Sequence, residues 1–170
     1  AGVGMVFQQG VLIDTLNVGE NIGLALRSAG FPTSEEAIRK ALVEVGLSET
    51  DASKMPGQLS GGMLRRASLA QVLAQGRPVI VLDEPFVGLD ETNAMGIVSL
   101  IQSLIERGQS FILISHDLQF STALLMTGRE THLEVRTHEE VIPRKRVTPH
   151  WNFLVRTGVR LFDYLVISTP

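Results

Sequence analysis

The sequence VIVLDE occupies residues 79–84 and predicts a buried strand that ends in two carboxylates. Four consecutive apolar residues, most of them β-branched, are typical of a strand covered on both faces within a parallel sheet. Since successive side chains of a strand point to opposite faces, we expect Asp83 and Glu84 to leave the sheet on opposite sides. Asp83 would then be placed to hold a hydrated Mg²⁺, and Glu84 to orient or deprotonate an attacking water. The alternative is a solvated strand end without chemistry.

A helix and a second buried strand follow this stretch. Apolar residues recur at helical spacing from Ile97 to Ile105, and residues 111–114, FILI, predict the strand. Strand, helix and strand in this order form a βαβ unit with parallel strands. Ligands of such sheets bind beyond the carboxyl ends of the strands, so residues 83–84 and 115–117 are the places where chemistry is expected. A histidine at the position of His116 is more often packed or capped than catalytic, and its alternative role is a hydrogen bond to a terminal phosphate.

The first half of the chain is predicted to be mostly helical after a short opening strand over residues 3–7. Asn17 and Glu20 have the spacing of a capping box, and Thr33 and Glu36 repeat it. These pairs predict two helices, the second ending at Gly46. A third helix is predicted over residues 62–75.

A glycine-rich segment, LSGGM at residues 59–63, lies just before the third helix. Its glycines allow close backbone approach, and the free N–H groups of a helix start favour an anion, to which Ser60 adds a hydroxyl. A glycine-rich helix start without a ligand is the alternative. Arg65 and Arg66 are equally compatible with solvated helix surface, and Asp90 alone would be an N-cap.

Length and composition bound the class of protein. The 170 residues are enough for one domain with or without a short extension, and 44% hydrophobic with 19% charged residues excludes disorder for most of the chain. No run approaches the roughly 18 apolar residues of a membrane-spanning helix. The absence of cysteine excludes disulfides, thiol catalysis and cysteine-ligated zinc, and a net charge of -3 argues against general nucleic-acid binding.

The charge is distributed unevenly along the chain. Residues 1–128 contain 8 Lys/Arg and 13 Asp/Glu, whereas residues 129–170 contain 7 and 5. Residues 141–162 carry five basic residues, no acidic residue and interleaved aromatic ones. Such a segment is compatible with an anionic membrane surface or with a basic surface packed on the domain.

Five segments, in their order along the chain, resemble the ATP-binding-cassette (ABC) ATPases. They are residues 6–8 (VFQ), 59–63 (LSGGM), 79–85 (VIVLDEP), 88–90 (GLD) and 115–117 (SHD). The resemblance covers about residues 4–118 and implies a partial α/β P-loop NTPase fold with a helical subdomain inserted before a mostly parallel sheet. It divides residues 1–128 into a helical subdomain (about 10–75) and a βαβ core (about 76–128), and it leaves residues 129–170 as a tail of uncertain role.

The resemblance also implies the cofactors ATP and Mg²⁺, a second ATPase subunit in a homodimer, and a transmembrane permease, with no nucleic-acid partner. By this resemblance Gln8 touches Mg²⁺ and senses the permease, Asp83 is the Walker B ligand of Mg²⁺, and Glu84 is the general base. The resemblance makes Asp90 the D-loop aspartate and His116 the switch histidine. The signature motif, which contacts the γ-phosphate held on the opposite subunit, consists of Ser60, Gly61, Gly62 and Met63.

One part of the family pattern, the Walker A loop, is absent from this sequence. That loop ends in Gly-Lys-Ser/Thr and holds the β- and γ-phosphates, but Lys40, Lys54 and Lys145 all follow residues other than glycine. The chain is therefore expected to be a fragment or a protein without its phosphate cradle, and to lack ATPase activity alone.

Within the family, the segments around Met63 and residues 86–88 (FVG) look most like the Mla-type ATPases of phospholipid transport. This implies a lipid or other hydrophobic substrate and a peripheral location on the cytoplasmic face of the inner membrane. Two rivals stay open. One is a non-transport member acting on DNA or in translation, and the other is a non-catalytic, degenerate half.

Overall fold

The structure, a computed structural model, describes residues 2–8, 12–115, 117–125, 132–136 and 164–168. The strands in these ranges are β1 (Val3–Val6), β2 (Val79–Asp83), β3 (Ser110–Ile114), β4 (His132–Arg136) and β5 (Tyr164–Ser168). The α-helices are α1 (Val18–Ser28), α2 (Glu35–Glu44), α3 (Gly61–Leu73), α4 (Glu91–Glu106) and α5 (Leu118–Leu125). Two 3₁₀ helices, Glu49–Ser53 and Pro56–Gln58, connect α2 to α3.

The strands form one sheet in the order β1-β2-β3-β5-β4. The pairs β1-β2 and β2-β3 are parallel, with Val3 opposite Val79 and Val79 opposite Ser110. Because the three parallel strands are in register, their carboxyl ends lie at one edge of the sheet. The predicted βαβ unit, β2-α4-β3, is confirmed, and it brings the segments after residues 83 and 114 to that edge.

Two strands lie beyond residue 128 and extend the same sheet. β4 pairs antiparallel with β5. β5, which the sequence did not predict, pairs antiparallel with β3 and so lies between β3 and β4. The basic segment at residues 141–162 lies outside the described residues.

One face of the parallel sheet is buried. Ile80 and Leu82 are 0% and 2% exposed, whereas Val79 and Val81 are only half-buried. α3 packs against the buried face at Gly4, where an added Cβ would lie 2.5 Å from Cγ1 of Val72. The prediction that residues 79–82 are covered on both faces is therefore wrong within the described part of the chain, because the described elements cover the second face only in part.

The helical segment begins where the sequence predicts. The Asn17 side chain accepts from the N–H of Glu20 at 2.8 Å, and the Glu20 carboxylate accepts from the N–H of Asn17 at 2.8 Å, which confirms the capping box. α2 begins one residue later than the Thr33 pairing predicts, because the Ser34 hydroxyl accepts from the N–H of Ala37 and is the actual N-cap. The predicted helix is therefore found, with its N-cap and its first residue one position later than predicted.

A buried asparagine fastens the loop before α1 to its first turn. Asn21 is fully buried, and its Oδ1 accepts from the N–H of Ile13 at 2.7 Å. Its Nδ2 donates to the carbonyls of Ile13, Leu16 and Asn17 at 3.0–3.1 Å. The carbonyls of Ile13 and Asn17 also accept from the N–H groups of Leu16 and Asn21. The N–H of Ile13 and the carbonyl of Leu16 therefore depend most on the Asn21 side chain.

A single apolar core joins the helical segment to the sheet. It includes Ile22 and Leu42 of the helical segment, Ile97 and Ile101 of α4, and Phe111 of β3. Within the described residues no helix is long and apolar enough to cross a membrane.

Candidate functional site

Polar side chains from the three parallel strands meet in a cavity at their carboxyl edge. The cavity has a volume of about 540 Å³, and its described lining residues are Gln8, Asp83, Glu84, Val87, Ile114 and Asp117. Three carboxylates and one amide therefore face a common space. Gln8 comes from the end of β1, the Asp83–Glu84 pair from the end of β2, and Asp117 from beyond β3.

Glu84 leaves β2 with an unusual backbone conformation. Its φ of 47° is the only positive value outside glycine among the described residues. This left-handed conformation costs a non-glycine residue about 1–3 kcal/mol and persists where the surroundings fix it. Here the N–H of Glu84 donates to the carbonyl of Ile114 at 2.8 Å, and the Ser115 hydroxyl donates to Glu84 Oε2 at 3.2 Å. The carboxylate is thus positioned from the end of the neighbouring strand.

Asp83 and Glu84 both line the cavity at the sheet edge. The two carboxylates can therefore act on the same ligand. Asp83 is the last residue of β2, and Glu84 follows it with its left-handed backbone conformation. The expectation that their side chains leave the sheet on opposite sides stays a prediction.

The oxygen donors at this edge fit Mg²⁺ held jointly with a substrate. Among the described residues, no group of three or more His, Cys, Asp or Glu side chains is arranged to hold a metal alone. Mg²⁺ keeps several waters and is usually bound by one or two carboxylates together with phosphate oxygens. Asp83, with the amide oxygen of Gln8, supplies a donor set of this kind.

The segment after β3 begins a helix. Ser115 Oγ accepts from the N–H of Asp117 at 3.1 Å, and Asp117 Oδ1 accepts from the N–H of Phe120 at 3.1 Å. Asp117 therefore caps α5 while lining the cavity. His116, between these two residues, is outside the described residues, and its predicted role stays a prediction.

The glycine-rich segment forms the start of α3. Ser60 is the N-cap, and its hydroxyl accepts from the N–H of Met63 at 3.3 Å. Ser60 and Gly61 are exposed, whereas Gly62 is buried and Met63 packs half-buried against the core. The helix start therefore presents Ser60, Gly61 and free backbone N–H groups to solvent, as an anion site requires.

The start of α4 lies against the start of α3. Asp90 is the N-cap of α4, which confirms the interpretation of this residue when it is taken alone. Its Oδ1 accepts from the N–H of Asn93 at 2.8 Å, and its Oδ2 accepts from Asn93 Nδ2 at 2.7 Å. These two hydrogen bonds hold the pKa of Asp90 below its ordinary value, and the bond from the backbone N–H has the larger effect. Asn93, which the sequence did not single out, also touches the signature segment: a Cβ added at Gly62 would lie 2.4 Å from Asn93 Oδ1.

This contact predicts energetic coupling between Gly62 and Asn93. We expect Gly62→Ala to be more favourable in the Asn93→Ala background than in the wild type, by about 1 kcal/mol, because the clash with the amide is removed. Urea unfolding of the single and double variants measures the coupling. Gly57→Ala is the control, since a Cβ there meets no atom within 4 Å. Additivity of Gly62→Ala and Asn93→Ala within about 0.3 kcal/mol would contradict the contact.

The two arginines of α3 are structural links. Arg65 is 8% exposed, and its Nη1 donates to the carbonyl of Phe7 at 3.0 Å, so solvated surface is the wrong interpretation for it. Burial lowers the pKa of Arg65, and attraction to Asp83 opposes that effect. Half-buried Arg66 donates from Nη1 to the carbonyl of Val45 at 2.7 Å, beyond the end of α2.

The predicted site residues therefore fall into two groups. Gln8, Asp83 and Glu84 share the cavity at the sheet edge, and the signature residues lie with Asp90 at the starts of α3 and α4. Arg65 connects the groups, because it belongs to α3 and bonds the residue before Gln8. Only long-range contacts reveal this connection.

Comparison with known proteins identifies the family to which this chain belongs. Residues 1–87 match the family described as ABC transporter. The chain is 37% identical over 153 residues to the aliphatic sulfonates import ATP-binding protein SsuB 1 of Pseudomonas aeruginosa, a match covering 85% of this chain and 59% of that protein. It is 40% identical over 116 residues to the pyoverdine export ATP-binding/permease protein PvdT of the same species, covering 67% of this chain and 17% of that protein.

A solved structure agrees with these matches. A dimeric ATP-binding cassette in a post-hydrolysis state, bound to ADP and Pi, superposes with a TM-score of 0.63 at 33% identity, covering 71% of this chain and 55% of that one. The chain thus spans little more than half the length of the sulfonate import protein and of this cassette. The match over residues 1–87, half of the chain, establishes that the chain belongs to the ABC transporter family and has a partial form of its P-loop NTPase fold.

Proposed function

We propose that this chain is the later part of the ATP-binding subunit of an ABC transporter, a subunit that binds ATP with Mg²⁺ and hydrolyses it. The supporting observation is the cavity at the sheet edge, where Asp83, Glu84 and Gln8 converge and where Ser115 holds the Glu84 carboxylate. Water activation needs a fixed base, and metal binding needs an oxygen ligand beside it.

The proposed chemistry is transfer of the γ-phosphoryl group to water. The water oxygen bonds to the γ-phosphorus, the bond to the bridging oxygen breaks, ADP leaves, and Glu84 accepts the proton from the water. When bound through Asp83 and Gln8, Mg²⁺ would neutralise charge on the β- and γ-phosphates. The family resemblance assigns His116 a hydrogen bond to the γ-phosphate.

A homodimer would complete each nucleotide site. Ser60, Gly61, Gly62 and Met63 would contact the γ-phosphate held on the opposite subunit, with Asp90 beside them. The exposed hydroxyl of Ser60 and the free N–H groups at the start of α3 support this role. The comparison cassette was solved as a dimer.

The remaining parts of the proposal concern the membrane. The helical segment between β1 and β2 would dock on a permease at the cytoplasmic face of the inner membrane. The Mla-like residues Met63 and 86–88 favour a phospholipid or other hydrophobic substrate, although the relatives' names include sulfonate import and pyoverdine export. The positions of Glu84 and Ser115 favour a catalytic subunit over a degenerate half.

A chimera tests this function. A segment with the Walker A pattern of the family, a strand followed by a loop that ends in Gly-Lys-Ser/Thr, would be fused before residue 2 to supply a phosphate-binding loop. We expect Mg²⁺-dependent phosphate release from ATP by the chimera and none by the 170-residue chain. If the chimera folds and binds ATP but releases no phosphate, the proposal that this site hydrolyses ATP is refuted. Turnover by the unfused chain would refute the expectation that it is inactive alone.

A further inference from the structure

Gln8 lies just beyond the part of β1 that the sheet fixes. β1 ends at Val6, which is opposite Leu82 in the last pair of the β1-β2 ladder. Phe7 and Gln8 are both exposed, so packing contributes little to their positions. Gln8 nevertheless lines the cavity that also contains Asp83. Its position there depends on contacts beyond the strand ladder.

Arg65 supplies such a contact. Its Nη1 donates to the carbonyl oxygen of Phe7 at 3.0 Å. Because the peptide bond is planar, this oxygen and the N–H and Cα of Gln8 belong to one rigid unit. A hydrogen bond from a charged donor is about twice as strong as one between neutral groups. The bond from Arg65 therefore fixes the direction in which Gln8 leaves β1.

The guanidinium is itself held in place. Arg65 is 8% exposed, and it belongs to α3, a helix of 13 residues. A buried side chain has few alternative rotamers, because close-packed neighbours exclude them. The Phe7 carbonyl is thus bonded to a fixed point of α3, about one turn after the helix begins at Gly61.

We propose that Arg65 is a positioning residue, which holds the amide of Gln8 beside Asp83 through the carbonyl of Phe7. It acts through the backbone and needs no contact with nucleotide or metal. The part of this inference that concerns Mg²⁺ rests on the proposed function, because it takes Gln8 and Asp83 as ligands of the ion. The part that concerns the backbone of residues 7–8 depends on neither ATP nor Mg²⁺.

The sequence offers a selective probe of the bond, since Phe7 and Gln8 form the only Phe-Gln pair in the chain. Phenylalanine labelled with ¹³C at the carbonyl and glutamine labelled with ¹⁵N at the amide therefore give a single carbonyl–amide cross-peak in the NMR spectrum of the 170-residue chain. Arg65→Met should move the Phe7 carbonyl signal upfield, because the carbonyl loses a hydrogen bond. It should also lower the order parameter of the Gln8 N–H from about 0.85 to below about 0.6.

Arg66→Met is the matched control for this measurement. It removes the neighbouring guanidinium, which donates to the carbonyl of Val45 and not to that of Phe7. Both NMR values should therefore stay as in the wild type. A change of the same size in Arg66→Met and Arg65→Met would overturn the specific role of Arg65.

Arg65→Lys is the second variant, and it keeps the test decisive if Arg65→Met does not fold. It retains the positive charge, but its side chain is shorter and lacks the planar fork of the guanidinium, so we expect an upfield shift about half as large. Wild-type values of the carbonyl shift and the order parameter in the variants that fold would overturn the proposal.

The Mg²⁺ requirement of the chimera tests the consequence for the site. Groups that orient a metal ligand typically contribute 10–100-fold to metal affinity. We therefore expect Arg65→Met to raise the half-saturating Mg²⁺ concentration for phosphate release about tenfold, with the rate at saturating Mg²⁺ changed less than about threefold. Loss of charge alone predicts the opposite, because Arg65 and Asp83 attract each other and the guanidinium thus opposes a cation at Asp83.

The two measurements separate this inference from the proposed function. An unchanged or lowered Mg²⁺ requirement in Arg65→Met would overturn the positioning of Gln8 for the metal. If the chimera with the wild-type Arg65 released no phosphate, the proposed function would fail, and the NMR result would still decide whether Arg65 holds residues 7–8.

Discussion

Glu84→Gln is expected to lower the rate of ATP hydrolysis by the chimera about a thousandfold, within the range of 10²–10⁴ found for general bases. The amide has the shape of the carboxylate and still accepts a hydrogen bond from the Ser115 hydroxyl, which lies 3.2 Å from Oε2 in the wild type. It is a far weaker base than the carboxylate, so the proton of the attacking water has no acceptor. Phosphate release at saturating Mg-ATP measures the effect, and ATP binding should persist.

The control for this variant is Glu106→Gln, at the exposed last residue of α4. It makes the same chemical change at a residue that does not line the cavity, so it should leave the rate unchanged. If Glu84→Gln hydrolysed ATP within about threefold of the wild-type rate, Glu84 would not be the base. A loss of ATP binding in Glu84→Gln would instead assign the residue to the binding of the nucleotide.

Local sequence patterns predicted the secondary structure well where one physical cause dominates. The apolar run after Pro78 gave a strand because β-branched residues favour a covered, extended chain, and the observed β2 extends it by one residue. The Asn17–Glu20 box marked the start of α1 because both halves of the cap lie within four residues. Predictions of this kind need no knowledge of the tertiary fold.

The position of β5 could not be predicted in the same way. Residues 164–168, YLVIS, are apolar, but their place between β3 and β4 depends on pairing across more than 50 residues with Phe111, Ile112 and Leu113. Local pattern does not specify which strands become neighbours. Strand order is therefore information that only the assembled sheet contains.

The candidate site likewise combines features that the sequence predicts with features that only the structure reveals. The order of motifs identified the family, but no local pattern predicted the φ of 47° at Glu84 or the cavity that Asp83 and Glu84 both line. The burial of Arg65 was equally hidden, because an arginine pair on a helix is typical of a solvated surface. Its hydrogen bond spans 58 residues of sequence. The contacts of individual side chains could thus be described only from the structure. The catalytic and binding roles of the site residues are proposals.

Asn21→Ala is expected to reduce the free energy of unfolding by about 3 kcal/mol, which makes it the larger stability effect predicted for this chain. The substitution removes the bonds to Ile13, Leu16 and Asn17 and leaves backbone groups of the loop without partners. Because Asn21 is fully buried, water does not readily replace those bonds. Urea unfolding followed by far-UV circular dichroism measures the loss.

Asn17→Ala is the matched comparison, because it removes an asparagine side chain only four residues away. Asn17 acts as an N-cap at a partly exposed position, where water replaces the lost bond, so the expected loss is only about 1 kcal/mol. The difference between the two variants isolates the contribution of the buried side chain from that of the helix cap. Equal losses would show that Asn21 does not hold the loop, and the segment before α1 would then be fixed by the capping box alone.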